Sequence, residues 1–196
     1  MSVSTAIERI RSGLTEDPRR EVVGGKEGPR DLLFTERVVE WVRRLSPNPS
    51  DALILASWGH VLYRWRLPRE SQPKTTPGYH KWRRAQAKLS ADQVDAVLKD
   101  EGVDPETTAA VRSLILKANF PSDPDAQILE DADCLSFLEL KLESYVPEWE
   151  EDKLVRILKG TWEKMSEHAH ALAQGLFGQK VNLPQKVLDK ILSNPL

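Results

Sequence analysis

Helix-start signals recur along this chain, whereas the alternation that marks β-strands is missing. No run of β-branched residues repeats with a period of two. The segments DPE at residues 104–106 and DPD at residues 123–125 each combine a capping residue, a proline in the first helical turn and an acid near the positive end of the helix dipole. Apolar side chains recur at helical spacing, as at Val38, Val42 and Leu45. The sequence therefore predicts an all-α fold.

These signals predict about eight helices in one compact domain. The first four cover about residues 4–14, 31–45, 51–66 and 78–101; the fifth and sixth begin near residues 104 and 123; the sixth ends near 145, the seventh spans 147–177, and a short one covers 184–192. Residues 18–30 are predicted to be a loop, and three prolines within residues 68–77 predict a positioned loop. The core of the domain is expected at about residues 31–177, with residues 1–30 and 178–196 as its terminal parts.

Composition indicates an ordinary water-soluble chain. Hydrophobic residues make up 40% and charged residues 30% of the sequence, and no apolar run approaches the ~20 residues that a membrane span needs. The N-terminal segment has no apolar signal core. Cys134 is the sole cysteine, which excludes an internal disulfide and a cysteine-based zinc site. We expect a cytoplasmic protein without a membrane partner.

Residues 57–84 carry most of the unusual chemistry. This segment holds seven of the 28 Lys and Arg residues but one carboxylate, so it has a charge of +6 within a chain whose net charge is −2. Basic residues interleaved with aromatic ones can hold phosphates while rings stack on bases. The sequence therefore predicts an anion-binding site, and a merely solvated basic surface is the alternative. The candidate ligand-binding residues are Arg64, Arg69, Tyr79, His80, Lys81 and Arg83, whereas Trp58, Trp65 and Trp82 are expected in the core.

Two further side chains stand on apolar helix faces. His60 shares a face with Leu53 and Ala56, so it is either a hydrogen-bonded core histidine or a metal ligand. Asp131 falls in the same arc as Leu135 and other leucines of the sixth helix, so its carboxylate is predicted to be buried. A buried carboxylate needs a cation, a metal or several donors.

An ion pair with Arg64 or Lys117 and ligation of a metal both remain open for Asp131. The motifs of serine hydrolases and of nucleotide-binding loops, G-x-S-x-G, G-x-G-x-x-G and the P-loop, are missing from the sequence.

Several segments resemble a known family of proteins. They are HVLYRWRLPRESQP with GYHKWRR, then DPDAQILEDADCLSFLE, and then DKLVRILKGTWEKMS. Together they resemble domain of unknown function 4202, and the resemblance runs along most of residues 31–175. It carries no established activity with it.

A more distant likeness links the chain to helical HD-type metal-dependent phosphohydrolases. That likeness implies an HD-like helical core and a divalent metal ion held by His60 and by Asp131 or Asp133. It also implies catalytic roles for Lys117, which would steady developing charge, and for Glu130, which with His80 could substitute for missing ligands. The central His-Asp pair of that family is replaced here by Ser90 and Ala91.

Two functions follow as expectations from the residues and the resemblance together. The first is a metal-dependent phosphohydrolase that acts on a nucleotide or another phosphorylated small molecule in a basic cleft. The second is a non-catalytic module that binds RNA or a protein on a degenerate HD-like scaffold. Metal content and salt-sensitive nucleic-acid affinity distinguish them.

Overall fold

The computed structural model describes residues 3–23, 25–177 and 183–192, and over these ranges it contains ten α-helices and one β-hairpin. The first helices are α1 (Val3–Thr15), α2 (Arg30–Leu45), α3 (Asp51–Gly59), α4 (Thr76–Asp100) and α5 (Pro105–Leu116). The later ones are α6 (Pro124–Leu140), α7 (Leu142–Tyr145), α8 (Glu151–Trp162), α9 (Glu167–Leu176) and α10 (Gln185–Leu192). The all-α prediction is confirmed, and the HD-like core stays a prediction.

The chain divides into two compact units, residues 1–129 and residues 130–196. The predicted single domain, with its core at about residues 31–177, stays a prediction. Parts of the predicted C-terminal region, at 178–182 and 193–196, lie outside the described residues. Within the described ranges, no helix combines the length and the apolar character needed to cross a membrane.

Helix α3 is the centre of the first unit, because it packs against α1, α2, α4 and α5. Leu53, Leu55 and Ala56 are fully buried, as expected for a helix that is apolar on nearly all sides. Its N-terminus is capped as predicted, since the Ser50 hydroxyl accepts a hydrogen bond of 3.0 Å from the Leu53 N–H. The packing around α3 is therefore what fixes the positions of α4 and of the loop before it.

Helix α3 ends at Gly59, seven residues before the predicted end at Arg66. A Cβ atom at Gly59 would lie 2.5 Å from Val94 Cγ2, so α4 approaches the backbone closely here. Tyr63 then adopts a left-handed conformation (φ 56°), and residues 64–66 form a 3-10 turn. The Tyr63 hydroxyl donates to Glu16 at 2.9 Å. Contacts with residues far away in sequence thus end the helix at this point, although the local sequence pattern favours its continuation.

The prediction of a loop at residues 18–30 is partly wrong, because a β-hairpin lies there. Strands β1 (Arg20–Val23) and β2 (Lys26–Pro29) pair in antiparallel fashion, with Val23 opposite Lys26. Gly25 has a φ of +81°, which glycine adopts without the steric cost that a side chain would bring. Strands of four residues are too short to show a clear alternating pattern.

The predicted seventh helix, 147–177, is in fact two helices, α8 and α9. Ser166 separates them and caps α9, since its hydroxyl accepts from the Ala169 N–H at 3.2 Å. The break has no proline or glycine to signal it. The short last helix is confirmed as α10, which packs against α8 and whose Lys190 pairs with Glu151 at 2.7 Å.

Candidate functional site

Arg64, a predicted ligand-binding residue, belongs to a network of opposite charges in the first unit. The carboxylates of Asp17 and Asp31 are 2% and 1% exposed. Arg19 donates to Asp17 at 2.8 Å and to Asp31 at 2.7 Å, and Arg64 donates to Asp31 at 3.2 Å. The Asp31 N–H donates to Asp17 at 3.1 Å. This network ties the start of α2 to the hairpin and to the 3-10 turn after α3.

The network also explains the protonation of Asp17. Burial by itself raises the pKa of Asp17, but hydrogen bonds from the Arg19 guanidinium and from backbone N–H groups outweigh burial and lower it overall. The carboxylate is therefore held in its charged form. Arg64 is engaged by Asp31 in this network, and its role as a ligand-binding residue stays a prediction.

Arg69, a second predicted ligand-binding residue, holds the loop before α4. Its guanidinium donates to the carbonyl oxygens of Gln72 at 2.9 Å and Pro73 at 3.0 Å. The same group lies 5.9 Å from the ring centre of Tyr79 and 5.7 Å from that of Trp82. Arg69 therefore acts as a clamp within the loop.

The loop at residues 68–77 is also fixed from the helix side. The Trp82 indole N–H donates to the Leu67 carbonyl at 2.9 Å, and the Thr75 hydroxyl accepts from the Gly78 N–H at 3.1 Å. A Cβ atom at Gly78 would lie 2.2 Å from the Pro73 carbonyl oxygen, so the loop touches the helix backbone. The predicted positioned loop is present.

The remaining cations of the basic segment lie on an exposed surface, which we call the α4 basic face. It consists of Lys74, His80, Lys81, Arg83 and Arg84. All are exposed except Arg83, which is half-buried. In the described part of the chain, no carboxylate forms an ion pair with any of these four Lys and Arg residues. Lys88 at the next turn does pair with Asp92, at 2.5 Å, which ends the face.

Like charges crowd the α4 basic face. Lys81 and Arg84 are three residues apart and Arg84 and Lys88 are four apart, so they are neighbours on the helix surface. The first turn of α4 contains no acid, whereas α2, α3, α5, α6 and α8 each have one there. A bound anion would relieve the mutual repulsion and would lie near the positive end of the helix dipole.

Sequence and structure agree on part of this face. Tyr79, His80, Lys81 and Arg83 were predicted as ligand-binding residues and lie on or beside it. Lys74 and Arg84 were missed. Helical spacing could have identified Arg84, because it follows His80 by four residues on the same side of α4. Of the three tryptophans expected in the core, Trp58 is buried, whereas Trp65 and Trp82 are half-buried.

His60 occupies the C-terminal cap of α3. Its Nδ1 lies 2.8 Å from the Ser57 carbonyl oxygen, and its ring centre is 6.4 Å from that of Phe34. At the two positions where the HD-type resemblance would place a His-Asp pair, the buried Ser90 hydroxyl donates to the Leu62 carbonyl at 2.9 Å and Ala91 is fully buried. Ala91 therefore contributes packing, and Ser90 contributes a hydrogen bond from its side chain to a backbone carbonyl.

The predicted acids of α6 lie in the second unit. Asp131 is 3% exposed, so its predicted burial is confirmed. It accepts hydrogen bonds from the Ser166 N–H at 2.8 Å and from the Ser166 hydroxyl at 2.6 Å. Its carboxylate thus positions the residue that caps α9. The ion pair with Arg64 or Lys117 stays a prediction, and so does the convergence of His60 with Asp131.

Glu130 and Asp133 flank Asp131. Glu130 is 2% exposed, pairs with Lys164 at 3.2 Å and lies 3.9 Å from the Cys134 sulfur. Burial lowers the pKa of Lys164, but the charge of Glu130, the hydrogen bond to it and the charges of other nearby acidic groups together outweigh burial and raise the pKa overall. Asp133 is half-buried.

Lys117, the other predicted catalytic residue, is exposed at the C-terminal cap of α5 with a left-handed backbone (φ 55°). The catalytic roles predicted for Lys117 and Glu130 stay predictions, because the described contacts do not test them.

Within residues 3–23, 25–177 and 183–192, no group of three or more His, Cys, Asp and Glu side chains is placed to hold an ion. A catalytic ion usually needs three protein ligands. Asp131 and Glu130 already accept hydrogen bonds from Ser166 and Lys164. The divalent ion that the HD-type resemblance implies stays a prediction.

We expect Asp131→Ala to destabilise the protein by about 2 kcal/mol, because two donors on the half-buried Ser166 lose their charged acceptor. Ser166→Ala should cost about 1 kcal/mol, because it removes a cap while the backbone N–H keeps its acceptor. Chemical denaturation measures both, and Asp152→Ala, at an exposed position on α8, is the control. A different role for Asp131 would be indicated if Asp131→Ala kept full stability but lost a thermal shift that Mg²⁺ or Mn²⁺ gives the wild type.

The fold and the surface together define an all-α protein with an exposed, unpaired basic helix face. This chain belongs to the family described as domain of unknown function (DUF4202), whose model matches residues 4–187. No curated protein and no solved structure matches the chain.

Proposed function

We propose that this protein is a non-catalytic binding protein whose ligand carries phosphate groups and binds at the α4 basic face. One observation carries the proposal: Lys74, Lys81, Arg83 and Arg84 lie within one short stretch of the chain and have no carboxylate partner among the described residues. The other three cations of the basic segment, Arg64, Arg66 and Arg69, are engaged by Asp31, by Glu16 and by backbone carbonyls. The basic segment thus contains cations that other residues of the chain engage and cations that have no carboxylate partner in the described chain.

The chemistry of the exposed set suits phosphate in particular. Two of the four cations are arginines, whose planar guanidinium can donate two parallel hydrogen bonds to phosphate oxygens. The remainder of the sequence is acidic, so its field directs an anion towards this segment rather than elsewhere. Arg69 and Trp82 hold the adjoining loop in place before any ligand arrives, which lowers the entropy cost of binding.

Binding to inorganic polyphosphate, measured at several salt concentrations, tests the proposal. Four cations that each displace a counterion give a slope of log K against log salt of about −3, so affinity should fall about 50-fold between 50 and 200 mM salt. Polyethylene glycol of similar length is the neutral control. The proposal fails if the protein does not bind polyphosphate at 50 mM salt, or if binding is independent of salt.

A metal-dependent phosphohydrolase, which the HD-type resemblance implies, stays a prediction with its own test. Elemental analysis of protein purified without a chelator should find no stoichiometric Mg²⁺, Mn²⁺, Fe or Zn²⁺ if the protein is purely a binder. A cytoplasmic location forms part of our proposal. It is supported by the buried sole cysteine, which needs no oxidising compartment.

A further inference from the structure

Tyr79 is an exposed aromatic side chain at the edge of the α4 basic face. It is 45% exposed, and with Val22 and Leu116 it makes up the exposed large hydrophobic residues of the described chain. Packing inside the protein therefore does not account for the presence of an aromatic ring at this position.

The Tyr79 ring is nevertheless held by its neighbours. Its centre lies 5.7 Å from the His80 ring in an edge-on arrangement and 5.8 Å from the Trp82 ring. The Arg69 guanidinium lies 5.9 Å from the same ring centre. An exposed aromatic ring that is already held loses little conformational freedom when a second ring stacks on it.

Two guanidinium groups that can bind phosphates lie on the same side of α4 as Tyr79. Arg83 follows Tyr79 by four residues and Arg84 follows His80 by four, so both guanidinium groups lie on the same side of α4 as the two rings. Proteins bind unpaired nucleotides by stacking the bases on aromatic rings, which accept any base, while neighbouring guanidinium groups bind the phosphates.

We propose that the α4 basic face binds single-stranded nucleic acid, with one base stacked on Tyr79 and the flanking phosphates bound by Arg83 and Arg84. This inference rests on the proposed function and names its ligand class. Unpaired bases are required, because a duplex keeps its bases stacked on each other and offers Tyr79 no free face. Inorganic polyphosphate satisfies the cations but leaves the ring unused.

The test compares a 12-nucleotide uridine RNA with inorganic polyphosphate of similar charge. Tyr79→Ala should weaken binding of the RNA about 5- to 100-fold, the range expected for one stacked base, and should change binding of polyphosphate less than about 2-fold. Tyr79→Phe should retain RNA binding, because it keeps the ring. Val22→Ala, at another exposed apolar position, is the matched control, and circular dichroism verifies the fold of every variant.

Each other outcome overturns a different claim. If Tyr79→Ala affects neither probe, or both equally, base stacking on Tyr79 is wrong while the proposed phosphate binding stands. If duplex RNA binds as tightly as the single strand, the ligand class is wrong. If the wild-type protein binds neither RNA nor polyphosphate, the proposed function itself fails.

Discussion

The double variant Lys81→Glu/Arg84→Glu will lose binding of inorganic polyphosphate, by at least about 100-fold at 100 mM salt, and will remain at least as stable as the wild type. Binding falls because two of the four unpaired cations are replaced by charges that repel phosphate. Stability is maintained because the repulsion between Arg84 and Lys88 becomes an attraction, while the pair at positions 81 and 84 stays a pair of like charges. A carboxylate at position 84 also lies four residues before Lys88, which is the favourable order for a helical ion pair.

The combination of the two results is what makes this variant informative. Loss of binding through unfolding would lower the free energy of unfolding, whereas the new attraction between positions 84 and 88 should raise it by about 0.5 kcal/mol. Arg43→Glu/Arg156→Glu is the matched control, since it makes the same change in net charge at exposed positions on α2 and α8. We would abandon the α4 basic face if the control variant lost as much binding as the test variant.

Asp31→Ala will destabilise the protein by about 3 kcal/mol, the largest stability effect that we expect from a single substitution. The carboxylate is 1% exposed and accepts hydrogen bonds from both Arg19 and Arg64. Its removal leaves Arg64 in a partly buried site without its counter-charge and leaves Arg19 with Asp17 alone, which costs more than loss of an exposed pair. Chemical denaturation followed by tryptophan fluorescence measures the change, since Trp58 and Trp65 lie in the same unit.

Two further variants separate the charge of Asp31 from its shape. Asp31→Asn keeps an acceptor and a similar volume, so it should cost less than Asp31→Ala. Glu40→Ala removes an exposed partner of Arg37 and should cost under about 1 kcal/mol. An effect of Asp31→Ala as small as that of Glu40→Ala would contradict the role assigned to the network.

The network also bears on the candidate site. Arg64 begins the 3-10 turn after α3, and the Arg64 and Leu67 carbonyls both accept hydrogen bonds from the Gln86 side chain on α4. The buried Asp31 thus helps to fix the segment that leads into the clamped loop. Destabilising Asp31 variants should therefore be assayed for binding only under conditions where they are folded.

Several features were determined by the sequence alone. Local signals, namely apolar spacing, proline in first turns and capping residues such as Ser50 and Asp104, identified most helices and their order. These signals act over one or two helical turns and need no partner from elsewhere in the chain. The concentration of basic residues between 57 and 84 is likewise a property of the sequence, as is the burial of Asp131, which follows from its helical phase.

Only the tertiary structure decided which cations of the basic segment are engaged by other residues of the chain. Arg64 and Arg83 are equivalent in composition, yet Arg64 pairs with Asp31, which lies 33 residues away in sequence, and Arg83 has no such partner in the described chain. The early end of α3 and the break between α8 and α9 likewise depend on Val94, Glu16 and Asp131. Partners of this kind are set by long-range packing, which carries no signature in the local sequence. Which cations have a partner within the chain could therefore be determined only from the folded structure.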